Sequence, residues 1–141
     1  KKTSTHYAQH STRSLTHCTH NMKIDRFKKI WEHAQLSPHA GAIKRPTLSG
    51  AGENPLCGDA LRIDLAVKNG VIIDAKFTHH GCALSATATS LLLEDLIGKR
   101  ATAIHTMDEY ALLKLIGAPV SPARLTCALL PLRVAKSARP K

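Results

Sequence analysis

The chain has 141 residues, enough for one domain with a buried core that does not depend on disulfide bonds. Hydrophobic residues make up 43% and charged residues 21%, as in ordinary globular proteins, and no apolar run approaches the ~20 residues that a membrane span requires. The net charge of +10 does not indicate nucleic-acid binding, because aromatic residues are only 4% of the chain and many basic residues lie near its ends: Lys1, Lys2, Arg13, Lys136, Arg139 and Lys141.

The first residues have the composition of a disordered tail. Residues 1–21 are rich in Ser, Thr and His and contain no acidic residue and no hydrophobic periodicity. We expect the domain to occupy residues 22–136, followed by a basic tail over residues 137–141. Cys18 lies in the first tail and is expected to have no role. A cytoplasmic location is expected, with the mitochondrial or plastid matrix as the alternative if residues 1–21 are a transit peptide.

The domain begins with a pattern that predicts an amphipathic helix over residues 23–36. Pro38 and Gly41 are expected to end this helix. A short edge strand is expected between residues 42 and 53, a position that tolerates Pro46. The residues that carry the helical pattern are Ile24, Phe27, Ile30, Trp31 and Ala34.

Two stretches of strict alternation predict a β-hairpin with one face buried. Asn69 and Gly70 stand between them, and both residue types tolerate the positive φ of a tight turn. Such a hairpin indicates an antiparallel sheet with one face covered by helices. The alternating apolar residues are Leu61, Ile63, Leu65 and Val67 before the turn, and Ile73, Ala75 and Phe77 after it.

The second half of the chain predicts helices. Residues 82–97 form a helix ended by Gly98, residues 106–109 fit a capping box for a short helix, and Ser121 followed by proline starts the last helix. Together with the hairpin, these elements predict an α+β fold with a small antiparallel sheet of about three strands covered by helices.

Three cysteines and one aspartate are candidate metal ligands. Cys57 and Asp59 are separated only by a glycine, Cys82 stands at a strand-to-helix junction, and Cys127 lies near the start of the last helix. A thiol near a helix N-terminus is expected to have a depressed pKa. Three soft thiolates and one hard carboxylate can complete a four-coordinate zinc site or hold iron and sulfide.

Less specific interpretations exist for the same residues. The four cysteines of the chain could form two disulfides, which are typical of small secreted domains with weak cores. Each cysteine could also be a small buried apolar residue, and Asp59 a turn residue. His79 and His80 could join a site, but histidines at a strand end more often face solvent.

Four motifs resemble those of the U-type iron–sulfur cluster scaffold family, which includes IscU, SufU and the N-terminal part of NifU. Residues 54–59 match its Asn-Pro-x-Cys-Gly-Asp, and residues 77–90, FTHHGCALSATATS, are similar to Phe-x-Gly-x-Gly-Cys-x-Ile-Ser-x-Ala-Ser-x-Ser. Residues 122–127 look like the Pro-Ala-Arg-x-x-Cys of the SufU branch, and residues 37–41 look like the motif that follows the first helix. The resemblance covers residues 24–136.

The resemblance implies that Cys57, Asp59, Cys82 and Cys127 converge at one exposed end and hold a transient [2Fe-2S] cluster. It implies a cysteine desulfurase as the sulfur donor and apo iron–sulfur proteins as recipients, with a frataxin-like protein or a chaperone as further candidate partners. The protein would then be a scaffold and not an enzyme. By analogy with the IscU branch, Cys127 is expected to accept the persulfide.

Two alternatives stay open from the sequence. The first is a zinc-dependent persulfide acceptor of the SufU type, a sulfurtransferase in which Cys57 would take the sulfur. The second is a structural zinc module, which Asp59 disfavours because structural zinc sites use mainly Cys and His. The branch is mixed: Thr126 replaces the histidine of IscU, yet the spacing between Cys82 and Cys127 is short, as in IscU. The Leu-Pro-Pro-Val-Lys chaperone-recognition stretch is not reproduced.

Overall fold

The computed structural model describes residues 28–141, which form an α+β domain as the sequence predicts. The predicted first helix is present over residues 28–36, and residues 23–27 lie outside the described part of the chain. The elements, in chain order, are α1 (28–36), β1 (Leu48–Asn54), β2 (Asp59–Lys68), β3 (Val71–His80), α2 (Ala83–Leu96), α3 (Ala103–Thr106), α4 (Glu109–Ile116), a 3-10 turn (Pro122–Arg124), α5 (Leu125–Ser137) and β4 (Arg139–Pro140).

The predicted hairpin is confirmed and forms the longest strand pair of the sheet. β2 and β3 are antiparallel, and Ile63 stands opposite Phe77 on the buried face. Asn69 and Gly70 make the turn with φ values of 53° and 77°, the left-handed conformation that the Asn-Gly pair predicts. The hairpin therefore positions His79 and His80 at the end of β3, close to the start of α2.

The sheet has four strands in the order β3-β2-β1-β4, one more than the sequence predicts. The additional strand, Arg139–Pro140, pairs with Leu48 and Ser49 of β1 and lies within the segment expected to be a basic tail. A strand of two residues is too short to produce a hydrophobic alternation, so the sequence carries no signal for it. The strand expected between residues 42 and 53 is present as β1, but its prediction as an edge strand was wrong, because β4 pairs with its other side. Pro46 precedes the strand and does not interrupt its pairing.

Helices α2 and α5 cover one face of the sheet and enclose the core. The approach of α5 to β1 is very close, because a Cβ atom added at Gly50 would lie 2.5 Å from the carbonyl oxygen of Val134. No helix within residues 28–141 is long and apolar enough to cross a bilayer. The largest fully buried apolar side chains are Ile63, Leu65, Ile72, Leu92, Leu93, Leu96, Leu112, Ile116 and Leu130.

The predicted start of α4 was wrong by two residues. Thr106 belongs to α3, and its hydroxyl donates to the carbonyl of Ala103. Asp108 is the N-cap instead, since its carboxylate accepts a 2.8 Å hydrogen bond from the backbone N–H of Ala111. Thr and Asp are both favoured N-caps, so the pattern alone did not separate them. Ser121 makes no side-chain cap, and the 3-10 turn follows it before α5 begins.

A buried histidine attaches α1 to α2. His33 is only 4% exposed, and its two ring nitrogens lie 2.6 Å from Ser90 Oγ and 2.5 Å from Glu94 Oε2. Lys29 adds a second contact to Glu94 at 3.6 Å. Because both polar atoms of the buried ring have partners, burial of this histidine is compensated.

Candidate functional site

A turn, a helix start and a second helix start meet at one end of the sheet. The turn connects β1 to β2 and is shaped by Asn54, whose carbonyl accepts hydrogen bonds from the N–H groups of Cys57 and Gly58 at 3.2 and 2.8 Å. The Asn54 side chain also accepts from the N–H of Leu56. Gly58 adopts a φ of 70°, which favours glycine at this point of the turn. The local sequence thereby presents Cys57 at the tip of a tight, hydrogen-bonded loop.

Asn54 also connects this turn to α5. Its side chain is buried, and its amide donates to Thr126 Oγ1 at 3.3 Å and to Cys127 Sγ at 3.6 Å. Asn54 is thus a structural residue of the site that the sequence reasoning quoted only as part of a motif. Nothing in the sequence indicated the contact with Cys127, which is 73 residues away along the chain.

Three of the candidate ligands form one cluster. One ligand atom each from Cys57, Asp59 and Cys127 lie within 4.8 Å of one another. The Sγ atoms of Cys57 and Cys127 are 2.7 Å apart, longer than the ~2.05 Å of a disulfide bond, and the cysteines of the described residues are free. Cys18 lies outside the described residues.

Cys82 lies next to this cluster and is attached to it through Asp59. Cys82 is the N-cap of α2, and its backbone N–H donates a 2.7 Å hydrogen bond to Asp59 Oδ1. Its thiol can donate its single hydrogen either to Asp59 Oδ2 at 3.6 Å or to Ser85 Oγ at 3.8 Å. Gly81, with a φ of 140°, makes room for the carboxylate, because an added Cβ atom there would lie 2.0 Å from Asp59 Oδ1. The structure therefore brings Cys57, Asp59 and Cys127 together and places Cys82 beside Asp59.

The four side chains differ in accessibility. Asp59 is 1% exposed and Cys127 is 2% exposed, whereas Cys57 is exposed and Cys82 is half-buried. A partner molecule that approaches this end of the protein therefore meets Cys57 before it meets the buried Asp59 and Cys127.

The expected depression of the Cys127 pKa was wrong for the metal-free protein. Burial, followed by hydrogen bonding to Cys57 and Asp59, raises the pKa of Cys127 to about 12. Several acidic groups in one small volume cannot all ionise in the absence of a cation. A metal cation removes this penalty, since it replaces the protons and neutralises the thiolates, so the chemistry of the donor set fits a thiophilic metal.

The two histidines at the end of β3 have different surroundings. His79 Nε2 lies 2.5 Å from the oxygen of Ser85, and burial lowers the pKa of His79 although Asp59 opposes the shift. His80 is exposed. Neither histidine belongs to the cluster formed by Cys57, Asp59 and Cys127.

The fold is a small α+β domain with helices on one face of an antiparallel sheet, and a cysteine–aspartate cluster whose donor atoms suit a metal ion lies at one end. The chain matches the family model described as the NifU-like N terminal domain over residues 25–139 and belongs to that family. The family resemblance inferred from the four motifs is thereby confirmed.

Several relatives are described as iron–sulfur cluster assembly scaffold proteins. An iron–sulfur cluster assembly scaffold protein IscU from Thermotoga maritima is 37% identical over 82 residues, which are 58% of this chain and 58% of that protein. IscU 1 from Archaeoglobus fulgidus is 35% identical over 71 residues, which are 50% of this chain and 46% of that protein. The chain thus spans about half the length of these two relatives. IscU from Buchnera aphidicola subsp. Baizongia pistaciae is 28% identical over 107 residues, 73% of this chain and 83% of that protein.

Solved structures have the same fold. One solved structure is a protein from Fervidobacterium islandicum AW-1 that is described as a scaffold for iron–sulfur cluster assembly in the SUF system. The two structures match with a TM-score of 0.62 and 25% sequence identity, and the match covers 77% of this chain and 91% of that protein's chain. A NifU-like N-terminal protein from Brucella abortus has a TM-score of 0.64 over 78% of this chain and 89% of its own. At 22% identity, the second likeness shows the fold alone.

Proposed function

We propose that this protein is a scaffold on which an iron–sulfur cluster is assembled and from which the cluster passes to apo-proteins. The observation that carries the proposal is the convergence of Cys57, Asp59 and Cys127 within 4.8 Å, with Cys82 hydrogen-bonded to the same aspartate. Membership of the NifU-like family and the scaffold description of the Thermotoga maritima relative support it. On this proposal the protein is a carrier and not an enzyme.

A ligand set of three thiolates and one carboxylate is suited to a cluster that is bound only transiently and then transferred. Thiolates of Cys57, Cys82 and Cys127 are soft ligands that bind iron in iron–sulfur clusters, and a [2Fe-2S] cluster is the proposed cargo. Asp59 offers a hard oxygen, which is less well matched to iron and sulfide than a fourth thiolate. Ligand exchange at this corner is therefore easier than at the other three.

Sulfur is proposed to arrive as a persulfide from a cysteine desulfurase. A thiolate of the scaffold attacks the outer sulfur of the donor persulfide, the sulfur–sulfur bond breaks, and the donor leaves as a thiolate. The resemblance to the IscU branch favours Cys127 as the acceptor, whereas accessibility favours Cys57, because Cys127 is only 2% exposed. Mass spectrometry after a desulfurase reaction identifies which of the two cysteines carries the additional sulfur.

The exposure of Cys57 also favours a second candidate function, a zinc-dependent persulfide acceptor. Zinc fits the same donor set, since three sulfurs and one oxygen can complete a tetrahedral site. In that case zinc organises the site, and the exposed Cys57 takes and releases sulfur without building a cluster.

Anaerobic reconstitution separates the two functions. The full chain is incubated with ferrous iron, cysteine, a cysteine desulfurase and a thiol reductant that supplies the remaining electrons for reduction of persulfide sulfur to sulfide. The visible absorption of the desalted protein is then recorded. A cluster spectrum that is lost in Cys57→Ser, Cys82→Ser and Cys127→Ser, and kept in the control Cys18→Ser, supports the scaffold. A colourless protein that retains one zinc and carries a persulfide supports the acceptor and overturns the scaffold proposal.

A further inference from the structure

His79 contacts a serine that in turn contacts Cys82. It is paired with Leu61 in the sheet, and Leu61 is on the buried face, so His79 points toward the helices. Its Nε2 atom lies 2.5 Å from Ser85 Oγ, and Ser85, in the first turn of α2, has no exposed surface. The imidazole therefore contacts a side chain that is not in contact with solvent.

The hydroxyl of Ser85 has three hydrogen-bond partners: the carbonyl of Cys82, the thiol of Cys82 and the Nε2 atom of His79. It donates its single hydrogen to the carbonyl of Cys82 at 3.3 Å, and it lies 3.8 Å from the Cys82 Sγ atom, from which it can accept in place of Asp59 Oδ2. A hydroxyl has one hydrogen and two acceptor positions. With its hydrogen given to the Cys82 carbonyl, the hydroxyl can only accept from His79, in the tautomer whose Nε2 atom carries the hydrogen.

This arrangement differs from the family motif. The motif Phe-x-Gly-x-Gly-Cys has glycine where this chain has His79, and a glycine provides no side chain to contact Ser85. Ser85 itself corresponds to the serine of the motif. The contact between His79 and Ser85 is therefore a feature of this chain that the motif does not supply.

We propose that His79 is a positioning residue for Cys82: by donating to Ser85, it fixes the hydroxyl that holds the Cys82 side chain beside Asp59. Asp59 holds the backbone N–H of Cys82 at 2.7 Å, and the Ser85–His79 pair holds the other side of the same residue. A ligand whose rotamer is fixed before the metal arrives loses less conformational freedom on binding. The proposal rests on the proposed function only in that it takes Cys82 to be a ligand.

The first test uses the metal-free full chain with cysteine labelled with ¹³C at Cβ. The Cys82 resonance is expected to shift or broaden in His79→Ala and to recover in His79→Gln, whose side-chain amide can donate in place of the imidazole. His80→Ala is the matched control, because His80 is the adjacent residue and is exposed. The Cys57 and Cys127 resonances in the same spectra report whether the site as a whole has been disturbed.

The second test measures zinc affinity by competition with a chelator. Loss of His79 is expected to weaken zinc binding about tenfold, as for other residues that orient a metal ligand. Because His79 acts through Ser85, the pair His79→Ala and Ser85→Ala should be non-additive, with the double variant no weaker than Ser85→Ala alone.

The proposal is overturned if His79→Ala and His80→Ala give the same Cys82 resonance, or if the effects of His79→Ala and Ser85→Ala add. Absence of zinc binding in the unaltered protein would count against the ligand assignment of the proposed function. The NMR comparison of His79→Ala with His80→Ala decides the positioning role independently of that result.

Discussion

Gly81 is the residue on which the place of the Asp59 carboxylate depends most directly. A Cβ atom at this position would lie 2.0 Å from Asp59 Oδ1 and 2.8 Å from its Cα atom, so Gly81→Ala forces the aspartate to move. We expect zinc affinity to fall at least about tenfold, since the aspartate would leave its place beside Cys82. Chelator competition measures the change.

The control for this substitution is Gly98→Ala. Gly98 also has a positive φ, of 90°, but an added Cβ atom there meets nothing within 4 Å. Both variants carry the backbone strain of about 1–3 kcal/mol that alanine meets at such angles, and thermal unfolding is expected to detect it in both. Equal zinc affinities in the two variants would show that the Gly81–Asp59 approach has no bearing on the site.

Asp59→Ala is expected to make a bound cluster more persistent. The single hard oxygen among soft sulfurs is the corner at which ligand exchange is easiest, and its removal takes away the group that guides exchange. We expect slower decay of cluster absorbance in air and slower transfer to an apo-ferredoxin, each by a factor of about three or more. A threefold change in rate corresponds to about 0.7 kcal/mol in activation free energy.

Asp59→Asn separates the ligand role of Asp59 from its structural role. An asparagine oxygen can still accept the N–H of Cys82, which Asp59 Oδ1 accepts at 2.7 Å, but it lacks the negative charge. Both variants should retain the cluster longer, whereas only Asp59→Ala should lose thermal stability. Faster decay in Asp59→Ala would mean that the aspartate stabilises the cluster, contrary to our account.

The candidate ligands were easier to find in the sequence than the residues that arrange them. Cys57, Cys82 and Cys127 stand in recognisable motifs, and cysteine thiolates are common metal ligands. The role of Asn54 was not predicted, because its contact with Cys127 joins positions 73 residues apart in the chain. The raised pKa of Cys127 was also out of reach, since it follows from burial and from neighbours brought close only by folding.

The packing of α5 against β1 depends on two glycines of the strand, Gly50 and Gly52, at both of which an added Cβ atom would lie closer than 3 Å to Val134. Gly50→Ala places a Cβ atom 2.5 Å from the carbonyl oxygen of Val134, and rigid backbone cannot yield as a flexible side chain can. We expect a loss of about 1–3 kcal/mol in the free energy of unfolding, measured by urea titration. Cys127 lies at the start of the same helix, so zinc affinity should fall together with stability.

Ala51→Ser is the control on the same strand. Ala51 is exposed and points away from α5, so this change is expected to alter stability by no more than about 0.5 kcal/mol. A Gly50→Ala variant as stable as Ala51→Ser would mean that α5 shifts freely over the strand.

Among the elements, those with a strong local pattern were predicted correctly. The β2–β3 hairpin combines strict alternation with an Asn-Gly turn, and both signals are local. β4 was missed because Arg139 and Pro140 pair only with residues at the start of β1, and two residues carry no periodicity. Sequence reasoning therefore gave the sheet without its shortest strand.

At the scale of the whole molecule, Asp64, in the middle of β2, joins three segments of the chain. Its carboxylate accepts from Ser49 Oγ at 2.7 Å, from Arg62 Nε at 3.0 Å and from the backbone N–H of Ile43 at 3.4 Å. Burial alone would raise the pKa of Asp64, but these hydrogen bonds outweigh it and hold the pKa below its ordinary value of 3.8.

The lowered pKa of Asp64 predicts how stability depends on pH. The folded state binds the proton less readily than the unfolded state, so the stabilisation is complete above pH 3.8 and is lost as the pH falls through the lower folded value. Asp64→Asn should cost about 1–2 kcal/mol at neutral pH and remove this part of the acid dependence. Urea unfolding at neutral pH and below about pH 3 measures both effects. An unchanged difference between variant and unaltered protein across that range would contradict the prediction.

The site draws its side chains from segments that are distant along the chain, with Cys57 and Cys127 separated by 70 residues and Asp59 and Cys82 by 23. A cargo bound to all of them closes these long loops for as long as it stays, as a reversible cross-link does. Bound cargo therefore restricts the motion of the chain, so that the β1–β2 turn and the first turn of α5 open less often than they do without cargo. On the proposed function, the protein loses its cargo and this constraint together. A rise in the rate of amide hydrogen exchange at that end of the molecule is then expected to follow the transfer of the cargo.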